Sequence, residues 1–459
     1  MAHLVRGAAL GNVDRAGQSA AAERVESDLR HDVALGSERS GDTGRGVELD
    51  AVPLTVVEGQ RIALVPVAER QGQAGGRIET SAEEADGFRG HNSSVARAGE
   101  RTGDDMMVSP GSPLRFRFLT STPLDITRGS GTFVGITVLA GALRKLGHTV
   151  DFEFPRRHLP VYTLERLWFN RGLRRSDAYD LTVGFDMDGY RIAGPRHVAS
   201  LKGVIADELV WERGLTRATM GVQAHCERLH VHRAGRVVTC SRYSAIRAAE
   251  LYGLAQEPAA VPEPIDLARW RAQLSEHPAQ ASRFTVLNVG RFYPRKRVDI
   301  LLRAAARLRA KIPELEVRIV GNGPCNRRWR RLADELNLEG AVTWLGDVSR
   351  AELAAEYNRC HVFCMPSVQE AFGIVLLEAM AAAKPIVASR AAAIPEVARY
   401  ARLIKADNVD ALAEGLYEEY RKAGDFVNGS KWVERFDALR VAAHFAAAVS
   451  GEPVPDSLG

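Results

Sequence analysis

Pro366-Ser367-Val368-Gln369-Glu370-Ala371-Phe372-Gly373-Ile374-Val375-Leu376-Leu377-Glu378-Ala379-Met380 is the densest run of chemistry-bearing residues in this 459-residue chain. The apolar run 361–365 leads into it and reads as a buried strand, and the run after Gly373 predicts a helix over 374–383. Strand, loop and helix in that order form one unit of a parallel α/β sheet, where ligands bind beyond the carboxyl ends of strands. Glu370 stands in the loop. Gly373 lets backbone approach a ligand closely, and the helix start offers unpaired N–H groups at the positive end of a dipole. Glu378 lies about one turn inside the helix. A carboxylate on each side of an anion site suits a phosphate held between two polyols, as in a nucleotide sugar. Taken alone, the stretch reads equally well as a solvated Glu370 and a Glu378 complementing the helix dipole.

Working outward, Asn288-Val289-Gly290-Arg291-Phe292-Tyr293-Pro294-Arg295-Lys296-Arg297 follows the first strand of the same half, predicted over 285–289. Arg291 offers a planar fork and Lys296 a point charge, both suited to a diphosphate. Strands alternate with helices from 285 to 423, and a last helix is predicted over about 430–449. Upstream, a similar alternation begins at Leu114. It has strands at 115–119, 149–154, 181–185, 200–206 and 236–240, and a Gly-rich loop at 128–131. Pro262-Glu263-Pro264 joins the two halves. The expected fold class is α/β, with two doubly wound parallel-sheet domains facing a cleft. The boundaries are 109–278 and 279–430, with a C-terminal helix at 431–459 expected to pack back on the first domain.

Residues 1–105 contain one aromatic, Phe88, whereas the remaining 354 contain 30 of the 31 Phe, Trp and Tyr. They hold 12 basic and 18 acidic residues, a net of −6. Residues 1–108 are therefore expected to be disordered, or an extension ahead of a true start at Met106 or Met107. No apolar run reaches the roughly 20 residues of a membrane span, and no basic-then-apolar leader opens the chain. The five cysteines include no C-x-x-C pair, so a reduced, cytoplasmic protein is expected.

The second half resembles the donor domain of family 4 glycosyltransferases, the retaining enzymes of the two-domain GT-B fold. Glu370 and Glu378 match the family's E-x7-E spacing. Gly290, Arg291 and Lys296 match its G-R-x-x-x-x-K, and Gly321-Asn322-Gly323-Pro324 resembles its strand-end glycine turn. The likeness is strong from Phe284 to about Tyr420 and weak over the rest from Leu114. The resemblance implies sugar transfer from a nucleotide-diphosphate sugar to an acceptor hydroxyl, with no cofactor and no metal. Arg291, Lys296 and Glu370 would carry catalysis. The implied substrate contacts are Gly129, Gly131, Gly290, Gly321, Phe372, Gly373, Ile374, Val375 and Glu378. After the strand at 200–206, where the family often has His, this chain has Ala206-Asp207-Glu208. Asp207 is the candidate contact at that place. Other readings are a sugar-nucleotide epimerase of the same fold and a non-catalytic nucleotide-sugar-binding protein.

Three weaker constellations remain. Asp186-Met187-Asp188 imitates a metal-binding D-x-D, and reads as an acceptor contact at Asp186, an ordinary loop or, less well, a metal site. His225, Cys226, His230 and His232 match no zinc template and suit a solvated helix-to-strand connection. Residues 106–275 hold 23 basic and 16 acidic residues, a net of +7. Arg156, Arg157, Arg171, Arg174 and Arg175 fall close together there. They suggest ordinary surface charge or peripheral contact with an anionic membrane surface. No aromatic-interleaved basic strand suggests nucleic acid.

Overall fold

The computed structural model describes residues 112–122, 131–156, 159, 161–422 and 429–451. The expectations for 1–108, and the candidates Gly129 and Arg157, lie outside the described residues.

The first sheet contains β1 (Arg115–Leu119), β2 (Thr149–Glu153), β3 (Leu181–Phe185), β4 (His197–Leu201), β5 (Arg236–Thr239) and β6 (Ala259–Ala260). Its order is β2-β1-β3-β4-β5-β6, parallel throughout. The helices of this half are α1 (Gly131–Lys145), α2 (Tyr162–Gly172), α3 (Ile205–Glu208), α4 (Gly214–Arg233) and α5 (Arg242–Tyr252). After the Pro-Glu-Pro link comes α6 (Leu267–Glu276). The second sheet contains β7 (Thr285–Val289), β8 (Glu316–Val320), β9 (Val342–Gly346), β10 (Val362–Met365), β11 (Ile386–Ser389) and β12 (Arg402–Ile404). Its order is β12-β11-β10-β7-β8-β9, again all parallel. Around it run α7 (Val298–Leu308), α8 (Asn326–Glu335), α9 (Arg350–Arg359), α10 (Ile374–Ala381), α11 (Ile394–Val397) and α12 (Val409–Lys422). The last helix is α13 (Ala438–Ser450). The expected pair of doubly wound sheets is borne out.

Each sheet reverses its winding once, between β1 and β3 in the first and between β7 and β10 in the second. Loops diverge at such a point and open a crevice. In the second sheet, the loop after β7 carries Arg291 to Lys296 and the loop after β10 carries Glu370. The crevice is thus lined by the two stretches that the sequence singles out.

Local chemistry explains the elements around it. Helix α7 has Val298, Leu301, Leu302, Ala305 and Leu308 buried along one face, the 3.6-residue period of a helix laid on a sheet. Ser349 and Glu352 form a reciprocal capping box at the start of α9. Helix α13 returns to the first half, where Phe445 packs on Phe116 and Phe118 at centroid distances of 6.3 and 6.4 Å. Burying such aromatic rings contributes roughly 1.5–3 kcal/mol each.

Two local expectations are corrected. The strand placed at 200–206 is β4 at His197–Leu201, and the chain then turns into α3. The Lys202 N–H is taken by Asp186 Oδ1 at 2.8 Å, which turns the chain away from the ladder. The His225–His232 stretch is not a connection but part of α4, with Cys226 and His230 buried. Helices α2 and α4 break the usual pattern. Glu165, Arg166 and Asn170 face inward from α2, while Leu215 and Val222 face outward from α4. Polar residues inside and apolar ones outside erase the stripe by which helices are read.

Candidate functional site

A hollow of about 290 Å³ lies between the two halves, lined by both. Within it, Lys296 Nζ donates to both oxygens of Glu370, at 2.6 and 2.7 Å. Both side chains are mostly buried, 19% and 7% exposed. Arg291 reaches the same space and pairs with Asp347 at 3.4 Å. A buried pair of this kind is held by mutual attraction, and removing one partner leaves an uncompensated charge.

Gly373 stands at the entry to α10 with φ 91°, in the left-handed region. A Cβ there would lie 3.1 Å from Leu376 Cδ1 and 3.2 Å from Met365 Cε, so glycine suits both the torsion and the space. The first N–H groups of α10, at Ile374 and Val375, lie ahead of the helix's own hydrogen-bond ladder, and both residues line the hollow. Gly321, at φ 118°, serves a similar end. Its Cα sits so near Gly290 that a Cβ would come within 2.0 Å of the Gly290 carbonyl oxygen. That contact brings the two strand ends together behind the basic loop.

Glu378 is 3% exposed yet lines the hollow. One oxygen meets Arg350 at 2.5 Å and the other accepts from Tyr357 at 3.1 Å. Arg350 also stacks 4.3 Å above Trp270. Burial and the Glu378 carboxylate hold the Tyr357 phenol well above its usual pKa, so it remains a donor.

The first half contributes an array of another kind. Arg166, Asp186, Lys202, Glu208, Gln223 and Glu263 line the hollow. Lys202 Nζ pairs with Glu263 Oε1 at 2.8 Å, with both side chains under a tenth exposed. Arg166 Nη1 donates to Gln223 at 3.0 Å, and Nη2 lies 3.4 Å from Asp188 and 3.8 Å from Asp186. Asp186 has φ 53°, and its carbonyl accepts from His230 Nδ1 at 2.5 Å. His230 Nε2 is then the acceptor of the 2.7 Å contact with His197 Nε2. Burial holds the His230 imidazole neutral, with its pKa lowered to about 4, and lowers that of His197 well below the ordinary value.

Arg291, Lys296, Glu370 and Glu378 thus share one hollow with Gly131, Asp186, Gly290, Gly321, Phe372, Gly373, Ile374 and Val375. Asp207 does not line it. Its carboxylate is taken by Tyr243 Oη and Arg247 Nε, both at 2.8 Å, and by Gln369 at 3.2 Å. Asp188 is fully buried and accepts from Ser121 and Asn170. Its carboxylate is taken up by these donors and Arg166 inside the first half, and Asp188 does not line the hollow. Among the described residues, no group of three or more His, Cys, Asp or Glu is gathered for a metal ion. Sequence reasoning missed Lys202, Arg166, Gln223 and Arg350, which belong to no local motif. Lys202 alone left a trace, one residue beyond a strand end.

Residues 271–420 match the model of the family Glycosyl transferases group 1. The resemblance read from the two motifs is borne out at that level. A GDP-mannose-dependent alpha-(1-6)-phosphatidylinositol monomannoside mannosyltransferase of Mycolicibacterium smegmatis is 30% identical over 236 residues, 47% of this chain and 62% of that protein. A D-inositol 3-phosphate glycosyltransferase of Stackebrandtia nassauensis is 45% identical over 109 residues, 22% of this chain and 25% of that protein. The chain thus spans under two thirds of the length of these relatives. Among solved structures, sucrose-phosphate synthase of Thermosynechococcus elongatus aligns with TM-score 0.58 and 20% identity, covering 72% of this chain and 97% of that one. Anabaena HepE in complex with UDP and glucose aligns with TM-score 0.55 and 18% identity, covering 74% of this chain and 100% of that one. The fold is that of these GT-B proteins.

Proposed function

We propose that this chain, whose residues 271–420 match the group 1 glycosyl transferases, moves a sugar from a nucleotide-diphosphate donor to an acceptor hydroxyl with retained anomeric configuration. One observation carries the reading: a buried Lys296–Glu370 pair faces the amide-rich start of α10, with Arg291 beside it and Glu378 behind. Arg291, Lys296 and the N–H groups of Ile374 and Val375 would meet the diphosphate and stabilise its departure. Glu370 would accept from donor-sugar hydroxyls while fixing the Lys296 ammonium. Glu378, held by Arg350 and Tyr357, would accept from the ribose. The acceptor would enter along Arg166, Asp186 and Lys202. The chain's contribution is orientation of the two substrates and electrostatic stabilisation of the leaving group, with no protein nucleophile and no metal invoked. The relatives' names favour an inositol-bearing acceptor, free or on a lipid.

The same reading includes peripheral contact with an anionic membrane. Leu164 and Trp168 on α2 and Leu215 and Val222 on α4 are exposed, and Arg171, Arg213 and Arg217 are exposed nearby in sequence. No helix among the described residues is long and apolar enough to cross a bilayer. Sedimentation with anionic vesicles tests this part.

The central test is a thermal-shift panel of UDP-, GDP- and ADP-sugars on the full chain. A true donor raises the melting temperature by mass action. Incubation with inositol phosphates or phosphatidylinositol should then give a product of the donor's anomeric configuration. A flat response across the panel, with no product, would refute the reading.

A further inference from the structure

The two residues proposed for catalysis are gripped through their neighbours by the opposite half. Gln369, just before Glu370, donates its side-chain amide to Asp207 at 3.2 Å. The carbonyl of Ala371, just after Glu370, accepts from Cys240 Sγ at 3.4 Å and Ser244 Oγ at 3.3 Å. Arg295, just before Lys296, pairs with Glu208 at 3.0 Å, with the two side chains 12% and 16% exposed. Arg295 also lies close enough to Glu212 for that carboxylate to sense its charge. The two gripped loops are tied to each other, since Val368 N donates to Arg295 O at 2.9 Å.

Asp207 and Glu208 are consecutive in α3, and α3 is firmly set in its own half. The N–H of Ile205 donates to the buried Glu227 at 2.9 Å, and Tyr252 donates to the same carboxylate. Tyr243 and Arg247 hold Asp207 from α5. A short, anchored acidic element of the first half thus contacts the residue before Lys296 and the residue before Glu370 in the second. A polar side chain used this way is a tie, since a surface pair would contribute little and tolerate movement.

We infer that Asp207 and Glu208 are positioning residues that couple closure of the two halves to the placement of Lys296 and Glu370. The inference rests on the sugar-transfer reading for its effect on rate, though not for its effect on closure. It also gives Asp207 a role at the place where the resembled family often carries His: the position serves as a cross-half tie rather than an acceptor-side acid or base. A displacement near 1 Å at a reacting pair is enough to cost a large factor in rate, so loosening the ties should lower turnover more than donor affinity.

The test uses the full chain carrying Asp207→Asn with Glu208→Gln. Three quantities are read: donor hydrolysis in water, affinity for the nucleotide that the unaltered chain binds, and radius of gyration by solution scattering. The expected result is a loss in kcat of about tenfold or more, a Kd changed by less than about threefold, and a larger radius of gyration. Glu208→Arg combined with Arg295→Glu, which reverses the pair, should recover part of the rate. Unchanged kcat, or parallel loss of kcat, affinity and melting temperature at constant radius, would overturn the inference. If the double variant does not fold, Gln369→Met with Arg295→Met cuts the same ties from the other side and carries the same expectation. If the unaltered chain binds no nucleotide sugar, the sugar-transfer reading fails by itself. Scattering then decides the tie alone: an expanded variant supports it and an unchanged radius removes it.

Discussion

The second sheet brings Arg291, Lys296 and Glu370 to the hollow from the loops after two neighbouring strands, β7 and β10. The first sheet brings Arg166, Asp186, Lys202 and Gln223 from two helices and two strand ends scattered along the chain. In the second half, the side chains that line the hollow fall in a few short stretches beside strand ends, although they too pair over a distance, as Lys296 does with Glu370 and Glu378 with Arg350. In the other half, each side chain depends on a partner far away in sequence, as Arg166 does on Gln223 and Lys202 on Glu263. A motif can record the first kind of site but not the second.

The comparison predicts unequal responses to mutation. The largest effect should come from Lys296→Ala or Glu370→Ala, each lowering transfer by about 10²–10⁴ while circular dichroism shows a folded chain. Full activity in both would dissolve the donor assignment. Next is Gly321→Ala, where the new Cβ meets a backbone oxygen that cannot move aside. A loss of about 2–4 kcal/mol in denaturant unfolding is expected, against nearly none at Gly131, where a Cβ meets nothing within 4 Å. Glu378→Gln should raise the donor KM about tenfold and leave kcat nearly unchanged, since a hydrogen bond to a charged group is worth about 1.5–3 kcal/mol. An equal fall in kcat would place Glu378 nearer the reacting atoms than proposed. Lys202→Ala should leave nucleotide binding unaltered and weaken acceptor use, which a KM measurement for each substrate separates.

The last expectation concerns pH. His230 has its pKa lowered to about 4 by burial, whereas an unfolded His titrates near 6.5. The unfolded chain therefore binds the proton first. The stabilising contribution of the neutral imidazole is present above pH ~6.5 and is lost as pH falls towards about 4, at up to about 3 kcal/mol. His197→Gln with His230→Gln should flatten that part of the stability curve. A slope equal to that of the unaltered chain would show that the pair is not neutral in the native state.

Much of the second half is legible in the sequence. Its strands and helices follow from clean periodicity, as in α7, and its site from one glycine with two flanking acids. The first half was less legible because α2 and α4 bury charge and expose apolar residues. Their partners, such as Asp188 for Arg166, lie too far along the chain for any pattern to link them. Asp207 shows the boundary well. Its place after a strand drew notice, but its direction away from the hollow follows from Tyr243, Arg247 and Gln369 closing around it.

By itself the sequence determined the alternation of strands and helices, the break at Pro262–Pro264, and the glycine turn at Gly373, because each depends on torsions and periods set within a few residues. Only the tertiary structure decided that Lys296 faces Glu370, that Arg350 holds Glu378, and that α3 ties one half to the other. Those pairings join residues far apart along the chain, and burial selects them because a charge taken out of water needs partners within reach.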